Sequence, residues 1–323
     1  MRKKVKFLFS SNYFCLPQGG IHRRSRRCDS IGPPGQWAKP MRGAMPDLKG
    51  MESTMDTLAF SPRDFIKEIC EEENIQFELY SQDYIVRLTK GDVTRHVLWS
   101  NWDTNNAASD RIACDKSACY TVLTQAGVPA IPHEILLHPY RRQGWTGEKG
   151  TWQQALDFFN DHNQKVVLKP NQGTNGRGVH LCETVQALET AAHSIFEASP
   201  DIAISPFYEI VTEYRVFYVK GDCPLVYGKT PGEDNWRHNL SQGATAFEVS
   251  DTKKLAKLKE LASRAAKAIG INFATIDMAE TPDGELAVME INSGVQARQL
   301  LEQLPYLRPI VKNIYAAAVR GMF

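Results

Sequence analysis

The chain has 323 residues, 42% of them hydrophobic, which is enough to bury a full core in one or two closely packed domains. Its net charge of +1 is unevenly divided: residues 1–57 carry 11 Lys or Arg against 4 Asp or Glu, so 11 − 4 = +7 there leaves 1 − 7 = −6 for the rest. An acidic body excludes broad nucleic-acid binding, because that needs a concentrated positive stripe. No stretch approaches the roughly 18 apolar residues of a membrane span, so we expect no membrane partner.

The cysteines favour a reducing compartment. All seven are widely spaced, without a CxxC pair or the His/Cys clustering of a zinc site. The opening segment also lacks the continuous apolar run of a signal peptide. We therefore predict a cytoplasmic protein.

Residues 1–57 predict a poorly ordered basic leader, because Gly, Pro and Arg are mixed there without an apolar period. The arginine cluster at 23–27 is typical of a solvated tail, and contact with RNA or another anionic surface is the alternative. A short α/β unit is predicted over 58–110. It begins with a helix marked by Ser61, Pro62 and Asp64. Three alternating strand segments follow, with a turn at 90–92 and a polar connection at 101–110.

Residues 111–323 alternate helix and strand signals, which predicts an α+β domain. Four further helices are predicted from their caps, at Asp115, Thr151, Thr184 and Asp251. Strands are predicted at 165–170, 179–181, 202–207, 213–219, 224–229, 273–279 and 285–291.

The strongest candidate site lies in the last strand pair. If a two-residue turn forms at 283–284, Asp277 lies directly opposite Glu290, and Asn292 follows on the same face. The other face then presents an apolar set to the core: Ile276, Met278, Met289 and Ile291. Two carboxylates and an amide oxygen are hard ligands that suit magnesium shared with phosphate oxygens.

Two other interpretations of this strand pair stay open. A three-residue turn over 282–284 would place Asp277 and Glu290 on opposite faces and remove the site. The polar face could also be an ordinary solvent-facing side of a hairpin.

A glycine-rich loop follows the predicted strand that ends near Lys169. The segment VVLKPNQGTNGRGVHL contains Gly173, Gly176 and Gly178, and glycines let backbone amides approach phosphate oxygens closely. The loop leads into a strand and lacks the GxxxxGK[ST] order, so it is neither a Walker loop nor a dinucleotide fingerprint. The pattern favours a flexible flap between two strands, with an ordinary hairpin as the alternative.

Five segments occur together in the order DRIACDKSACYTVLTQAGVP, VVLKPNQGTNGRGV, TEYRVFYV, NWRHNLSQGATA and IDMAETPDGELAVMEINSG. Their order and spacing resemble the ATP-grasp superfamily, in the branch of RimK-type glutamate ligases, cyanophycin synthetases and bifunctional glutathione synthetases. The resemblance covers about residues 58–323. It implies an ATP-grasp fold, with two α/β subdomains that grip ATP over 111–323.

The resemblance also implies a role for each matching residue. The phosphates of ATP would be held by Lys116, Lys169, Lys229 and the loop residues Gly173, Thr174, Gly176 and Gly178. The adenosine would contact Ser205, Phe207, Tyr208 and Glu213, and magnesium, with manganese as the alternative, would bind Asp277, Glu290 and Asn292. The transferring phosphoryl group would contact Arg237 and Asn239, and a substrate carboxylate would be clamped by Arg215 or Arg298.

The implied activity is ATP-dependent joining of a carboxylate to an amine through an acyl phosphate, with release of ADP and phosphate. The expected partners are a small-molecule or peptide carboxylate, an amine, and a second copy of the chain in a homodimer. One alternative is a catalytically silent nucleotide-binding regulatory protein of the same fold. Another is a kinase that makes a stable phosphate ester.

Overall fold

A computed structural model describes residues 61–140, 144, 147–173, 176–232 and 238–323. The predicted leader at 1–57 lies outside these residues. The helices are α1 Pro62–Glu72, α2 Ala107–Cys114, α3 Lys116–Gln125, α4 Gly150–Asp161, α5 Val185–Ala198, α6 Thr252–Ile269, α7 Arg298–Gln303 and α8 Arg308–Arg320. The strands are β1 Gln76–Tyr80, β2 Ile85–Lys90, β3 Val93–Leu98, β4 Asn101–Trp102, β5 Glu134–Leu137, β6 Val166–Pro170, β7 His180–Cys182, β8 Asp201–Pro206, β9 Thr212–Val219, β10 Asp222–Thr230, β11 Thr245–Glu248, β12 Phe273–Glu280 and β13 Leu286–Asn292.

The first described unit consists of α1 and the antiparallel sheet β1-β2-β3-β4. The predicted helix start is confirmed: the Ser61 side chain accepts from the Asp64 amide, and the Asp64 side chain accepts from the Ser61 amide. The buried face of α1 packs on α8, where Phe65 stacks on Tyr315 with ring centroids 5.2 Å apart. This unit therefore shares a core with the end of the chain.

Two local predictions for the segment between β4 and β6 are wrong. The predicted connection at 101–110 ends early, because α2 begins at Ala107, where Asn106 caps it through a bond from the Ser109 amide to the Asn106 side chain. Thr151 does not cap α4, which begins one residue earlier. Its hydroxyl instead donates to the Leu137 carbonyl at 2.6 Å.

A four-stranded sheet in the order β5-β8-β6-β7 forms one wall of the molecule's main cleft. One face of this sheet is apolar and packs on α4 and α5, through a cluster that includes Leu168, Ile204 and Leu188. Because side chains alternate along a strand, the other face presents Val167 and Lys169 to the cleft. The start of α3 is tied to the end of β6, since the Lys116 amide donates to the Asn171 carbonyl at 3.2 Å.

A five-stranded sheet in the order β11-β10-β9-β12-β13 forms the opposite wall. One face packs on α6, with Val216, Ile276 and Met278 fully buried there. The other face is apolar only at one end, where Phe217 and Phe273 pack against α8. The remainder of that face carries the charged side chains of the cleft.

The turn between β12 and β13 differs from our first expectation. Thr281 and Glu285 are hydrogen-bonded at 3.1 Å, so the turn has three residues, 282–284. A one-residue bulge then shifts the register, since Met278 pairs with Val288 whereas Asp277 pairs with Glu290. The bulge places Asp277 opposite Glu290 in spite of the longer turn.

The same bulge corrects the prediction for Met289. Instead of packing in the core with Ile276 and Met278, this side chain is only partly buried and lines the cleft. Val288 takes the core position in its place and is 1% exposed. The extra residue thus adds an apolar side chain to the cleft beside Glu290.

The described residues add two plain findings. The five cysteines among them are all free thiols. Within the same part of the chain, no helix is both long enough and apolar enough to cross a bilayer. Cytoplasmic location stays a prediction.

Gly228 on β10 lies directly beneath the ring of Phe247, so a side chain here would have to displace that ring. A Cβ atom at this position would come within 2.1 Å of the Phe247 ring on β11. We therefore expect Gly228→Ala to lower the free energy of unfolding by about 1 to 3 kcal/mol, measured by urea denaturation. In a Phe247→Ala background the same substitution should cost much less, and full additivity of the two changes would contradict this explanation.

Candidate active site

The cleft between the two walls brings together the predicted flap, the lysine strand and the last strand pair. It is lined by residues of β6, β8, β9 and β13, by the start of α3 and by the glycine-rich loop. Ten of the predicted site residues line it: Lys116, Lys169, Gly173, Gly176, Ser205, Phe207, Tyr208, Glu213, Asn239 and Glu290. The cleft therefore unites cationic, acidic and glycine-rich segments that are far apart in sequence.

Two lysines stand on one side of the cleft. Lys116, the first residue of α3, donates to the Gly173 carbonyl at 3.0 Å, and its ammonium lies 3.9 Å from Glu290 Oε2. Burial and then repulsion by Lys116 lower the pKa of Lys169 to about 8, although Glu290 and Glu213 partly oppose this. A cation held in this way gains strongly from a polyanionic ligand.

Cross-strand pairing aligns the charged residues of the other wall. Arg215 on β9 lies opposite Tyr227 on β10 and opposite Asp277 on β12, and Asp277 lies opposite Glu290 on β13. Directly opposite residues share a face, so these four side chains form one row across four strands. The position of Arg215 within an apolar strand is explained by this row.

The carboxylate of Asp277 is the centre of a hydrogen-bonded network. Arg215 binds it in a bidentate manner, with Nε 2.7 Å from Oδ1 and Nη2 2.6 Å from Oδ2. Lys229 Nζ donates to Oδ1 at 3.1 Å and also pairs with Glu213. Asn292 Nδ2 donates to Oδ2 at 3.0 Å. Both oxygens therefore accept two hydrogen bonds each.

These partners determine the protonation states in the network. Burial alone would raise the pKa of Asp277, but Arg215 and Lys229 outweigh it and hold that pKa below its usual range. Burial would lower the pKa of Lys229, but Asp277 and Glu213 raise it above its usual value. Burial raises the pKa of Glu213 to about 7 against the opposing effect of Lys229. At neutral pH Asp277 is thus a carboxylate and Lys229 an ammonium.

The donor set fits a magnesium ion that shares phosphate oxygens. Asn292 Nδ2 also donates to Glu290 Oε1 at 3.2 Å, which leaves the amide oxygen of Asn292 as a ligand. The Glu290 side chain is 32% exposed and can offer its carboxylate as well. No group of three or more His, Cys, Asp or Glu suited to a metal occurs in the described parts of the chain. Magnesium commonly uses one or two protein oxygens together with substrate phosphates.

The remaining predicted site residues fall into three groups: in the glycine-rich loop, outside the described residues, and away from the cleft. Gly178 lies against the Pro170 side chain in the loop, with positive φ. Thr174 and Arg237 fall outside the described residues. Arg298 does not line the cleft: it begins α7, is mostly exposed and pairs with Glu302 at 2.8 Å. The functional roles of all these residues stay predictions.

The glycine-rich loop lies against the segment that carries Asn239. A Cβ atom on Gly176 would come within 2.9 Å of Asn239 Oδ1 and 3.1 Å of Gln242 Nε2, and φ at Gly176 is +65°. Only glycine combines this backbone conformation with so close an approach. The loop and the Asn239 segment therefore meet above the cleft.

Sequence reasoning missed several cleft residues. Arg177 lines the cleft from within the glycine-rich loop, and its place among those glycines was the available signal. The other apolar lining residues had no distinguishing pattern in the sequence: Ile131, Val167, Val179, Ile210 and Met289. Apolar lining of this kind suits a flat apolar group such as a nucleotide base.

Comparison with protein families identifies the domain. The family model described as the RimK-like ATP-grasp domain matches residues 113–305, more than half of the chain. The chain belongs to the RimK-like ATP-grasp family. The matched range contains both walls of the cleft.

Curated relatives of this RimK-like chain match it over a shorter range. A probable alpha-L-glutamate ligase of Marinobacter nauticus is 37% identical over 131 residues, which are 40% of this chain and 42% of the relative. The corresponding protein of Trichodesmium erythraeum is 33% identical over 131 residues with the same coverage. The chain thus aligns with about two fifths of the length of these relatives.

Solved structures confirm the predicted fold class. A D-alanine–D-alanine ligase from Bacillus anthracis superposes with a TM-score of 0.53 at 16% identity, over 68% of this chain and 70% of that chain. The same enzyme in complex with ATP gives 0.52 at 17% identity with equal coverage. At such low identity the likeness shows the fold alone. The RimK-like chain is therefore an α+β protein with the ATP-grasp architecture that the sequence predicts.

Proposed function

We propose that this chain is an ATP- and magnesium-dependent ligase that joins a carboxylate to an amine through an acyl phosphate, with release of ADP and phosphate. One observation carries the proposal: Lys169 and Lys116 share a single cleft with Glu290 and the network around Asp277. A triphosphate and a divalent metal need cations and hard oxygen ligands at one place. The names of the curated relatives favour glutamate as the first substrate to test.

The side chains of the cleft suggest a separate role for each group of residues. Lys116 and Lys169 bind the phosphates, and the apolar residues beside Phe207 and Tyr208 hold the base. Glu290 and the amide oxygen of Asn292 would hold magnesium, which would neutralise negative charge on the transferring phosphoryl group. The glycine-rich loop excludes water, so that the activated carbonyl reacts with the amine and is not hydrolysed. Asn239, which this loop contacts, lies where it can orient the acyl phosphate.

Product analysis tests the proposed reaction. The protein is incubated with ATP, magnesium and a panel of amino acids and short peptides that starts with glutamate, and products are identified by mass spectrometry. We expect ADP, phosphate and an amide product only when both a carboxylate and an amine are present. AMP as the nucleotide product would overturn the proposal.

The same experiment separates the alternatives. A stable phosphorylated product without free phosphate would identify a kinase. Nucleotide binding without turnover of any carboxylate and amine pair would favour a catalytically silent regulatory protein. The Glu290 and Asn292 oxygens argue against that second alternative, because regulation by nucleotide binding alone has less need of metal ligands at the phosphates.

ATP affinity should depend on pH through Lys169. Because the pKa of this lysine is about 8, the free protein loses the positive charge as pH rises through that value. The apparent dissociation constant for ATP should therefore rise by up to about tenfold between about pH 7 and about pH 9. Lys169→Arg keeps its charge over this range and should give a flatter profile in the same calorimetric titration. Identical profiles for the two proteins would contradict the assignment.

A further inference from the structure

The acidic residues at the metal end of the cleft are already neutralised by neighbouring cations. Three carboxylates and three cations form this charged cluster: Glu213, Asp277, Glu290, Lys116, Arg215 and Lys229. The formal charges cancel when all six groups are ionised. The cluster therefore presents no excess negative charge to a free divalent ion.

Lys229 occupies the middle of the charged cluster. Its ammonium bridges Glu213 and Asp277, and its side chain is 2% exposed. Strand pairing fixes this position, because Lys229 on β10 lies directly opposite Glu213 on β9. Since Asp277 is 1% exposed and its oxygens each accept two hydrogen bonds, a metal could use this carboxylate only after Lys229 or another donor had left it.

A triphosphate changes this balance. It brings several negative charges and metal-binding oxygens to the cleft, and it offers Lys229 an anionic partner in exchange for Asp277. A metal ion that binds without nucleotide brings no phosphate oxygens and no new partner for Lys229. It is also repelled by the charges of Lys229 and Arg215, and this repulsion is weakly screened because the site is buried. Lys229, which bridges Glu213 and Asp277, therefore disfavours binding of the metal alone more than binding of the metal together with a triphosphate.

We propose that Lys229 is the resident counter-ion of the metal site, so that divalent metal binds this protein only together with a nucleotide. The inference rests on the proposed nucleotide and metal site and adds an obligatory coupling between the two ligands. Because such coupling is reciprocal, the metal must also strengthen nucleotide binding by the same factor.

The test measures binding of Mn²⁺ by the loss of its free-ion electron paramagnetic resonance signal, compared with the same concentrations of Mn²⁺ and ADP without protein, because ADP itself binds Mn²⁺ through its phosphates. For the unaltered protein, affinity for Mn²⁺ should be at least about tenfold higher with saturating ADP than without nucleotide. Lys229→Met should raise the affinity for Mn²⁺ alone by at least about tenfold, because Asp277 and Glu213 lose their shared cation. Lys229→Arg, which keeps the charge, should resemble the unaltered protein.

Matched controls separate this effect from general charge and folding effects. Lys254→Met removes one lysine that pairs with Glu280 on β12, outside the cleft lining, and should leave Mn²⁺ affinity unchanged. Lys229→Gln retains a hydrogen-bond donor toward Glu213. It serves as the second variant if circular dichroism shows that Lys229→Met does not fold. A folded Lys229→Met or Lys229→Gln variant whose affinity for Mn²⁺ alone equals that of the unaltered protein would overturn the inference.

The two proposals fail in different ways. Absence of Mn²⁺ binding to the unaltered protein even with saturating ADP would overturn the nucleotide and metal site itself. Equal Mn²⁺ affinity with and without ADP would leave the site standing and reject only the counter-ion role of Lys229.

Discussion

Replacing Lys169 with methionine should reduce ATP-dependent turnover by at least about a hundredfold, because removing one positioned donor to a transferring oxyanion costs this much. Lys169 faces the cleft from β6, opposite the wall that carries Glu290. Methionine keeps most of the stem and removes only the ammonium. The rate of ADP release with a cognate carboxylate and amine is the measurement.

Lys169→Met should lower turnover without lowering stability, so this variant separates loss of function from loss of the fold. The pKa of Lys169 is about 8 in the folded protein, below its ordinary value of 10.5. The unfolded chain therefore holds the proton more tightly, and the charged lysine opposes folding at neutral pH. Methionine removes this penalty, so the melting temperature should not fall. A folded variant with full turnover would disprove the phosphate-binding role, and Lys254→Met is the control for loss of one lysine charge.

Local sequence signals predicted those elements whose ends are fixed by short-range bonds. Ser61 begins α1 and Asp251 begins α6, and each does so through side-chain bonds to amides two or three residues ahead. The helix at 107–114 was missed because it has only eight residues and buries only Ser109 and Ala113, so it has no apolar period. Thr151 had the residue type of a cap, but a tertiary contact with the Leu137 carbonyl uses its hydroxyl.

The last strand pair shows what the sequence could predict of the site and what it could not. The sequence prediction placed Asp277 opposite Glu290 on the condition of a two-residue turn, and the structure has this pairing. The reason differs, because a three-residue turn and a compensating bulge replace the two-residue turn. A bulge leaves no mark in hydrophobic alternation apart from an extra residue, so Met289 was assigned to the core.

The partners of Asp277 were also beyond sequence reasoning. The resemblance implies that Arg215 clamps a substrate carboxylate, but its partner in the structure is Asp277, because β9 lies beside β12, which is a fact of topology. The family resemblance implies only a phosphate-binding role for Lys229. Only the pairing of β10 with β9 shows that it is buried between two carboxylates.

Glu290→Gln should lower turnover by about a hundredfold or more, through loss of metal binding at the phosphates. The Glu290 carboxylate is 32% exposed and accepts one hydrogen bond from Asn292 at 3.2 Å. Glutamine preserves the size and an acceptor for that bond, so the fold should be kept. What changes is the negative charge that faces Lys116 and the metal. Turnover should recover partly as the magnesium concentration is raised, because the remaining amide oxygens are weaker ligands.

The same ribbon provides the control for this substitution. Glu280, at the end of β12, binds Tyr214 and Lys254 and does not line the cleft. Glu280→Gln therefore removes an equal charge from the same strand pair without touching the proposed ligands, and its turnover should match that of the unaltered protein. If both glutamine variants lose activity equally, the loss reflects the charge or stability of the ribbon. If only Glu290→Gln loses it, and added magnesium partly restores it, the carboxylate acts through the metal.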